Sequence, residues 1–428
     1  MYCKSIKSKL HKSTFMLMYF YQPKVTHRKE PQWKLGDGHL TLRIDSIAIR
    51  ETARGKFRQA LGEKIMTATY QPTMAEMRRN SPETPTGVDV GAGLTKMVIG
   101  SDSGQMRLRL PSQVIENRTK LYDVLSFKDG GMFFYRSGNR TDLINREFLI
   151  GTSAKVKDPK AHIKLSDDPA LKVEYALHMI LGGLSTLPYR PEWNLYLVLS
   201  IHDKDAFEGT LKTNVEGQHI VSFNGKDNPD SRINLKVEQV VPEGAGNYIY
   251  GCTSKPTPFI DRTGFAIGFD LGTSTIIPNV FSPGGKLAHR KVLDVGGCVD
   301  LLNAIASNQE LINVLGQGKS GNIDLIRQGI EDRSFHYGQR KINGEALSFK
   351  SIYSRQVKVW LADRLRMALK DVSPWLDEAQ SLVAWGGGVE MPGVSQMLSI
   401  KSITAVSEAS WCGAIGLQKI AQGRLVRR

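Results

Sequence analysis

Two short segments, 181 positions apart, share the same order of apolar strand, aspartate, glycine and hydroxyl residue. The first is VDVGAGLTK, with Asp89, and the second is FDLGTST, with Asp270. Glycine allows the backbone to turn its N–H groups toward an anion. The carboxylates suit Mg²⁺, which keeps most of its waters and contacts few protein oxygens. The pair therefore predicts a duplicated fold that closes on a metal-bound phosphate chain.

The hydroxyl and amino groups beside these glycines add the donors that phosphate oxygens need. They belong to Thr95, Lys96, Thr273, Ser274 and Thr275. Taken alone, Gly91-x-Gly93 is more often an ordinary hairpin turn. The prediction therefore depends on the second segment and on a later glycine triplet, in the right order along the chain.

Composition places the chain among soluble globular proteins. It has 428 residues, of which 41% are hydrophobic and 23% charged, and that length is sufficient for two or more domains. The four cysteines are widely spaced, with neither a CxxC pair nor a zinc-ligand spacing. This pattern indicates reduced thiols in a cytoplasmic protein rather than a disulfide framework.

The positive charge is concentrated at the N-terminus. The net charge is +15, and residues 1–86 hold roughly +9 of it. Such an extension can contact nucleic acid, an acidic membrane or an acidic protein, although a solvated extension is the simpler interpretation. Within it, the apolar patch Phe15–Tyr21 is too short to span a membrane and no small-residue cleavage site follows it. We therefore predict no transmembrane segment.

A Pro-, Ser- and Thr-rich stretch, Arg78–Thr86, reads as a linker, and strands, turns and helices alternate after it. The predicted strands are Val88–Val90, Lys96–Ile99, Met106–Leu110, Leu195–Ile201, Gln218–Phe223, Ile233–Val241, Ala266–Asp270, Ser274–Phe281 and Ser381–Trp385. The predicted helices are Pro169–Leu184, a segment with Leu301, Leu302 and Ile305, and Tyr353–Asp371. Both halves place a strand–turn–strand unit before a helix, which predicts two related α/β lobes.

These motifs resemble the phosphate and adenosine motifs of the actin, Hsp70 and sugar-kinase ATPases. The matching patterns are Asp-x-Gly-x-x-x-Thr-Lys, Asp-x-Gly-Thr-x-Thr, and a late Gly-Gly-Gly-x-Glu. The segment Asp294–Leu302 is similar to the Gly-Gly-helix connection of that superfamily. The resemblance covers roughly residues 87–420. It implies an actin-like ATPase fold: two related, ribonuclease-H-like lobes with a nucleotide cleft between them.

A narrower resemblance lies in Val237–Glu243, which is similar to the run before the catalytic glutamate of ParM-type bacterial actins. Those proteins form ATP-driven filaments that move plasmids. This chain departs from the pattern in three places: Ile276-Ile277 follow the second turn, His202-Asp203 end a lobe I strand, and Cys298-Val299 follow the Gly-Gly connection. Glu243 could instead be an exposed loop carboxylate, and His202 is more simply a strand-end residue than a general base.

The resemblance implies a role for each matched position. Asp89 would face the metal-bound phosphates, and the first loop would consist of Gly91, Gly93, Leu94 and Thr95. Lys96 would be the lysine that usually follows this threonine in the family. Asp270 would hold Mg²⁺ through its waters, and the second loop would wrap the β- and γ-phosphates with Gly272, Thr273, Ser274 and Thr275. Glu243 would position and polarise the attacking water. The adenine would lie against Gly386, Gly387 and Gly388, with Glu390 close by.

The resemblance implies a ParM-type protein that polymerises in the cytoplasm, binds ATP and Mg²⁺, and hydrolyses ATP slowly. Its partners would be further copies of itself and a DNA-bound adaptor or other anchoring protein. The expected domains are the basic extension 1–86, lobe I at 87–262 with an inserted subdomain at about 111–165, and lobe II at 263–428 with a subdomain at about 288–350.

Two alternatives use the same superfamily. A monomeric small-molecule kinase or phosphatase would need a further acid or base in the cleft beyond Glu243, and the sequence offers no such group. An Hsp70-like chaperone would need a substrate domain after Gly388, where few residues remain.

Overall fold

The structure is a computed structural model that describes residues 82–101, 104–119, 128–316 and 318–428. The predicted basic extension up to position 81, including the Phe15–Tyr21 patch, lies outside the described residues. The end of the predicted linker is described, and there the first strand already begins at Thr84. Within the described ranges, no helix is both long and apolar enough to cross a membrane.

Ten described strands form one continuous sheet, which we call the sheet of lobe I. In chain order they are β1 (Thr84–Val90), β2 (Leu94–Ser101), β3 (Gly104–Pro111), β4 (Gln113–Glu116), β5 (Gly130–Gly138), β6 (Arg146–Gly151), β7 (Ile163–Lys164), β8 (Glu192–Ile201), β9 (Gly217–Phe223) and β10 (Asp230–Pro242). Their spatial order is β3-β2-β1-β8-β10-β9-β5-β6-β4-β7. The strands from the predicted insertion at about 111–165 thus extend the same sheet.

The centre of this sheet is parallel, because β8 pairs in parallel with both β1 and β10. Residues Leu195–Ile201 are a nearly continuous apolar run, and the structure buries them between two layers. The helices of this part are α1 (Thr152–Lys157), α2 (Leu171–Glu174), α3 (Ala176–Leu184), α4 (Lys204–Val215) and α5 (Ala245–Thr253). The side chain of Asp203 caps α4 by accepting a hydrogen bond from the Ala206 N–H.

The single helix predicted at Pro169–Leu184 is wrong in one respect, since it is divided at Tyr175. That residue has φ −101° and ψ 7°, which ends the short helix α2 and begins α3. Every residue of α3 is buried, so its face pattern has no exposed side to mark where it starts. Lys172, on the short helix α2 before this division, pairs with Glu243 next to the end of β10.

Lobe II is built on a five-stranded sheet with the order β13-β12-β11-β16-β17. Its strands are β11 (Phe265–Leu271), β12 (Ile276–Phe281), β13 (Leu287–Arg290), β16 (Ala379–Trp385) and β17 (Thr404–Ala405), and a separate hairpin is formed by β14 (His336–Ile342) and β15 (Glu345–Ser348). Its helices are α6 (Cys298–Ala306), α7 (Gln309–Leu315), α8 (Ile323–Glu331), α9 (Lys350–Asp371) and α10 (Val394–Ser399), and the following helix, α11 (Cys412–Leu425), packs against β1, β2 and β8 of the lobe I sheet.

The repeated strand–turn–strand unit of the sequence is confirmed. In lobe I, β1 pairs antiparallel with β2 and parallel with β8. In lobe II, β11 pairs antiparallel with β12 and parallel with β16. Asp89 and Asp270 occupy equivalent places, each one residue before its strand ends. The shared plan therefore presents both carboxylates from the ends of central strands.

Helices α5 and α11 cross with almost no space between their backbones. A β-carbon on Gly416 would lie 1.8 Å from the Gly246 carbonyl oxygen, and one on Gly87 would lie 2.2 Å from the Ala414 carbonyl oxygen. Helix α11 therefore touches α5 and β1 at positions where only glycine fits. This contact joins α11 to the lobe I sheet.

Candidate functional site

The two glycine turns lie against each other between the lobes. A β-carbon added to Gly93, in the β1–β2 turn, would lie 2.7 Å from the Thr273 side chain in the β11–β12 turn. The two segments that repeat in the sequence are therefore neighbours in space. No side chain fits at position 93. The backbone of the lobe I turn therefore packs directly against the Thr273 side chain of the lobe II turn.

A cavity of about 120 Å³ opens beside this contact. It is lined by the three predicted carboxylates, Asp89, Glu243 and Asp270. From the predicted loops, the lining residues are Gly91, Gly93, Leu94, Lys96, Gly272, Thr273, Ser274 and Thr275. Gly386 and Gly387 of the glycine triplet also line this cavity, whereas the predicted residues Thr95, Gly388 and Glu390 do not. The structure thus brings together residues from four separate parts of the sequence.

The first turn is stiffened from below by Ser112. The Ser112 hydroxyl donates to the Gly91 carbonyl oxygen at 2.6 Å, and the Ser112 N–H donates to the Gly93 carbonyl oxygen at 3.0 Å. The Thr95 hydroxyl lies 2.9 Å from the same Ser112 hydroxyl. Thr95 is buried and is not among the residues that line the cavity. In this structure its hydroxyl therefore supports the turn.

The second turn is fixed to the start of helix α6. The Gly272 N–H donates to the Thr275 carbonyl oxygen at 3.0 Å, which closes the turn. The Gly272 and Thr273 carbonyl oxygens then accept hydrogen bonds from the N–H groups of Cys298 and Val299, at 3.0 and 2.9 Å. A β-carbon on Gly297 would lie 2.3 Å from the Gly272 carbonyl oxygen, so this seat also needs a glycine. The backbone of the loop is thereby held in one shape.

The paired aspartates create a concentration of negative charge in the cavity. Burial of the Asp270 carboxyl, together with nearby Asp89 and Glu243, raises the pKa of Asp270 to about 7. Asp89 accepts a hydrogen bond from the Ser200 hydroxyl at 3.1 Å, which fixes one of its oxygens. Gly386 has φ +91°, and a β-carbon there would lie 2.6 Å from Asp270 Oδ1. The backbone around Asp270 is therefore close and allows little rotation.

These carboxylates suit a divalent cation whose other ligands come from a phosphate chain. Among the described residues, no three His, Cys, Asp or Glu side chains are placed to hold a metal ion by themselves. Mg²⁺ is commonly held by one or two carboxylates, with waters and substrate phosphates as the remaining ligands. The donor set fits that mode of binding, since two acidic side chains face one cavity and raise each other's affinity for positive charge.

Glu243 lies at the end of β10, and both of its carboxylate oxygens are bound. Lys172 Nζ is 2.8 Å from Oε1, and Arg290 Nη2 is 2.9 Å from Oε2. Burial favours the protonated acid, but the two cations outweigh it and hold the pKa of Glu243 below its usual value. Glu243 is thus an ionised group of the cavity wall, and the alternative of an exposed loop carboxylate does not describe it.

A second, larger cavity of about 410 Å³ adjoins the first and shares Gly93, Leu94, Thr273, Gly387 and Ser410 with it. Its apolar wall includes Leu302, Ile330, Met391 and Pro392, and its charged residues are Arg109, Arg327, Glu331, Arg333 and Glu390. An apolar pocket with a few polar groups at its edge is typical of a small-molecule site. The shared residues make the two cavities parts of one cleft.

Of the remaining predicted residues, Glu390 lines the larger cavity and Gly388 lines neither cavity. Glu390 Oε1 accepts a hydrogen bond from the Ser410 N–H at 2.8 Å. Gly388 packs closely against Leu271 and Cys298, because a β-carbon there would lie 2.8 Å from the Leu271 side chain and 2.9 Å from Cys298 Sγ. Burial raises the pKa of Cys298 to about 12, so its thiol is a neutral packing group.

Several cleft residues belong to no motif that predicts them. Lys172 and Ser200 line the smaller cavity, Arg109 and Arg327 line the larger one, and Arg290 reaches Glu243. None of these lies in a glycine motif. The one available signal was Ser200, which stands at the end of the buried strand beside the strand of Asp89.

The family model described as the N-terminal domain of actin-like proteins matches residues 87–246. Those residues include the first glycine turn, the lobe I sheet and Glu243. No curated protein sequence matches the chain.

Solved structures of actin homologues share the fold. An archaeal actin homologue superposes with a TM-score of 0.63 at 16% identity, covering 80% of this chain and 99% of the homologue. ParM from Bacillus thuringiensis, solved with ATP, gives 0.60 at 13% identity, covering 81% of this chain and all of that one. A 15-stranded ParM filament from Clostridium botulinum gives 0.58 at 15% identity, covering 80% and 100%. The chain therefore has the actin-like ATPase fold, as the resemblance in the motifs predicted.

Proposed function

We propose that this chain binds magnesium ATP in the cleft between its lobes, polymerises in the bound state and hydrolyses the nucleotide slowly. The observation that carries the proposal is the convergence of Asp89, Asp270 and Glu243 on one cavity, where two glycine turns meet. The triphosphate would occupy the smaller cavity and the nucleoside the larger one. Structures of actin homologues with ATP and with ADP support a nucleotide in a fold of this kind.

The binding roles follow from the chemistry of each group. Asp89 and Asp270 would hold Mg²⁺, mostly through its waters, while Lys96 would neutralise phosphate charge from lobe I. Backbone N–H groups of the two turns and the hydroxyls of Thr273, Ser274 and Thr275 would bind phosphate oxygens. When bound, Mg²⁺ would supply charge neutralisation for the phosphate chain.

Hydrolysis requires one further group, a base that orients water. Glu243 would accept a hydrogen bond from a water molecule placed behind the terminal phosphate. The water oxygen would form a bond to the γ-phosphorus as the bond to the β–γ bridging oxygen breaks, and a water proton would pass to Glu243. Phosphoryl transfer depends mostly on position and charge, so two loops and one carboxylate are sufficient.

Self-association is the second part of the proposal. The chain covers the full length of a ParM whose 15-stranded filament has been solved, and the two share a fold. We propose filaments of the ParM type in the cytoplasm, with plasmid DNA moved through a DNA-bound adaptor or another anchoring protein. The basic residues before position 82 would modify these contacts through an anionic partner surface.

Sedimentation and electron microscopy of the full chain test the proposal. With Mg²⁺, ATP and a non-hydrolysable ATP analogue should each yield filaments that pellet, and ADP should yield few. GTP in a parallel series establishes base preference. If no nucleotide produces a pellet at high protein concentration, polymerisation is refuted, and if no nucleotide binds, the whole proposal is refuted.

Glu243→Gln separates binding from hydrolysis. The amide keeps the size of the side chain but removes the base, so the variant should bind ATP and form filaments that persist after wild-type filaments have disassembled. Phosphate release should fall by about 100-fold or more, in the range that general bases contribute. A variant that releases phosphate at the wild-type rate would exclude Glu243 as the base.

A further inference from the structure

Glu243 is held by cations that come from opposite lobes. Lys172 lies on α2, beside the lobe I sheet, and its Nζ is 2.8 Å from Glu243 Oε1. Arg290 is the last residue of β13 in the lobe II sheet, and its Nη2 is 2.9 Å from Oε2. The second pair therefore crosses between the lobes at the wall of the cavity.

This cluster is shielded from solvent. The side chains of Lys172, Glu243 and Arg290 are exposed by 11%, 15% and 15%. In such surroundings charge-assisted hydrogen bonds are strong and fix the geometry of both partners. His202 and Asp270 also face Glu243, but Lys172 and Arg290 are the groups bonded to its oxygens.

We propose that Lys172 and Arg290 are positioning residues for ATP hydrolysis, which hold Glu243 toward the phosphate cavity only while the two lobes are together. The proposal rests on the proposed function. It adds a coupling between lobe closure and hydrolysis, because the bond from Arg290 to Glu243 exists only when lobe II is close to the end of β10.

The geometry leaves Glu243 able to act. A carboxylate has about four lone-pair positions, and the two cations use one on each oxygen, so a water molecule can still donate to the remaining positions. When the lobes separate, Arg290 withdraws with β13 and Glu243 keeps Lys172 alone. The carboxylate is then free to rotate about its side-chain bonds, and the water loses its fixed acceptor. Closure would thereby switch hydrolysis on.

Four single variants test this in the full chain: Lys172→Met, Lys172→Arg, Arg290→Met and Arg290→Lys. We expect the methionine variants to lower kcat for ATP hydrolysis by about 10- to 100-fold, while nucleotide affinity changes by less than about threefold. The conservative variants should recover most of the lost rate. Arg355→Met is the matched control, because Arg355 pairs with Glu310 inside lobe II and neither residue lines either cavity. Its kcat should equal that of the wild type.

A second series uses Glu243→Gln as the background. If Arg290 and Lys172 act through Glu243, adding either methionine substitution to Glu243→Gln should cause no further loss of kcat. A further tenfold loss would overturn the positioning role, since it would mean direct contact with the nucleotide. Thermal unfolding and binding of a fluorescent ATP analogue establish that each variant is folded.

The outcomes separate the two proposals. If the wild type hydrolyses ATP and Arg290→Met keeps the wild-type kcat, only the positioning role is wrong. A loss of nucleotide affinity of more than tenfold in Lys172→Met would reassign Lys172 to phosphate binding and overturn its role here. If the wild-type chain binds ATP but never hydrolyses it, the hydrolytic part of the proposed function and this inference are both wrong.

Discussion

Gly93 faces the Thr273 side chain across the boundary between the lobes, and an added β-carbon would lie 2.7 Å from it. Gly93 does not have a positive φ, so glycine is not required at this position for its conformational freedom. The requirement at position 93 is one of space. Whatever enlarges Gly93 must move one turn away from the other.

Gly93→Ala should therefore weaken nucleotide binding by at least tenfold. The methyl group would push the β1–β2 turn away from the β11–β12 turn, and phosphate-binding geometry tolerates displacements of only a fraction of an ångström to about 1 Å. Titration with a fluorescent ATP analogue measures the effect. Gly209→Ala is the control, because a β-carbon on Gly209 meets no atom within 4 Å. Equal affinities for the two variants would show that the contact does not matter for binding.

Asp270→Asn should stabilise the nucleotide-free protein and abolish binding of magnesium ATP. The pKa of Asp270 is about 7 in the folded chain and 3.8 in its ordinary state. The unfolded chain therefore releases this proton first, and stability is lost as the pH rises from 3.8 through 7. Because the amide carries no charge, the variant should avoid that loss, which is at most roughly 4 kcal/mol at pH 8.

Chemical denaturation at pH 5 and pH 8, without nucleotide, measures this difference. The gain from Asp270→Asn should be largest at pH 8 and fall to roughly 1.6 kcal/mol at pH 5. The exposed Asp377→Asn should show no gain at either pH. A loss of stability at pH 8 in Asp270→Asn would mean that the ionised carboxylate is already compensated in the free protein.

The crossing of α5 and α11 gives a test of packing. Gly416→Ala places a methyl group 1.8 Å from the Gly246 carbonyl oxygen, so the helices must separate, and we expect a loss of about 1–3 kcal/mol in the free energy of unfolding. Gly423 lies on the same helix with no atom within 4 Å of its β-carbon position. Gly423→Ala should raise stability by about 0.5–1 kcal/mol through helix propensity. Urea unfolding measures the free energy of unfolding of both variants. Similar free energies for Gly416→Ala and Gly423→Ala would contradict the close crossing of the helices.

The buried His178 should make the folded protein less stable in acid. Its ring is buried against Phe148 and Tyr175, with centroids 4.6 and 5.0 Å away, and burial together with Arg140 and Arg146 lowers its pKa to about 3. The unfolded chain takes up the proton at about pH 6.5, while the folded chain does not. Stability is therefore complete above pH 6.5 and falls below it by about 1.4 kcal/mol per pH unit until pH 3.

His178→Phe should remove that part of the acid dependence, because it keeps a ring in the same place without a titrating group. The free energy of unfolding, measured from pH 7 to pH 4, should decline less steeply in this variant than in the wild type. The exposed His336→Asn should follow the wild type. Parallel curves for wild type and His178→Phe would show that other groups govern acid unfolding.

The sequence was sufficient for the parts of the site that depend on local chemistry. A buried strand ending in Asp-x-Gly constrains the backbone within a few residues, so the turns at Asp89 and Asp270 and the repeated strand pairs could be predicted. The role of Lys172 could not be predicted, because this residue lies 71 positions from Glu243 in the sequence. It also belongs to a short helix that ends at Tyr175 and has no periodic apolar pattern to mark that end. Arg290 is one of many basic residues, and only the arrangement of the two sheets brings it to Glu243. Thr95 was predicted from its motif, but the motif did not reveal that its hydroxyl faces Ser112.

Helix α5 begins two residues after Glu243, and α11 begins two residues after Ser410, which lines both cavities. Where these helices cross, backbone meets backbone at Gly246 and Gly416, and side chains join the helices as well, since Cys412 Sγ lies 3.1 Å from Asn247 Oδ1 and Lys419 Nζ lies 2.8 Å from Thr253 Oγ1. We therefore expect α5 and α11 to move as one unit rather than to slide along each other. A displacement of the cleft wall at Ser410 would then be transmitted through both helices to the end of β10.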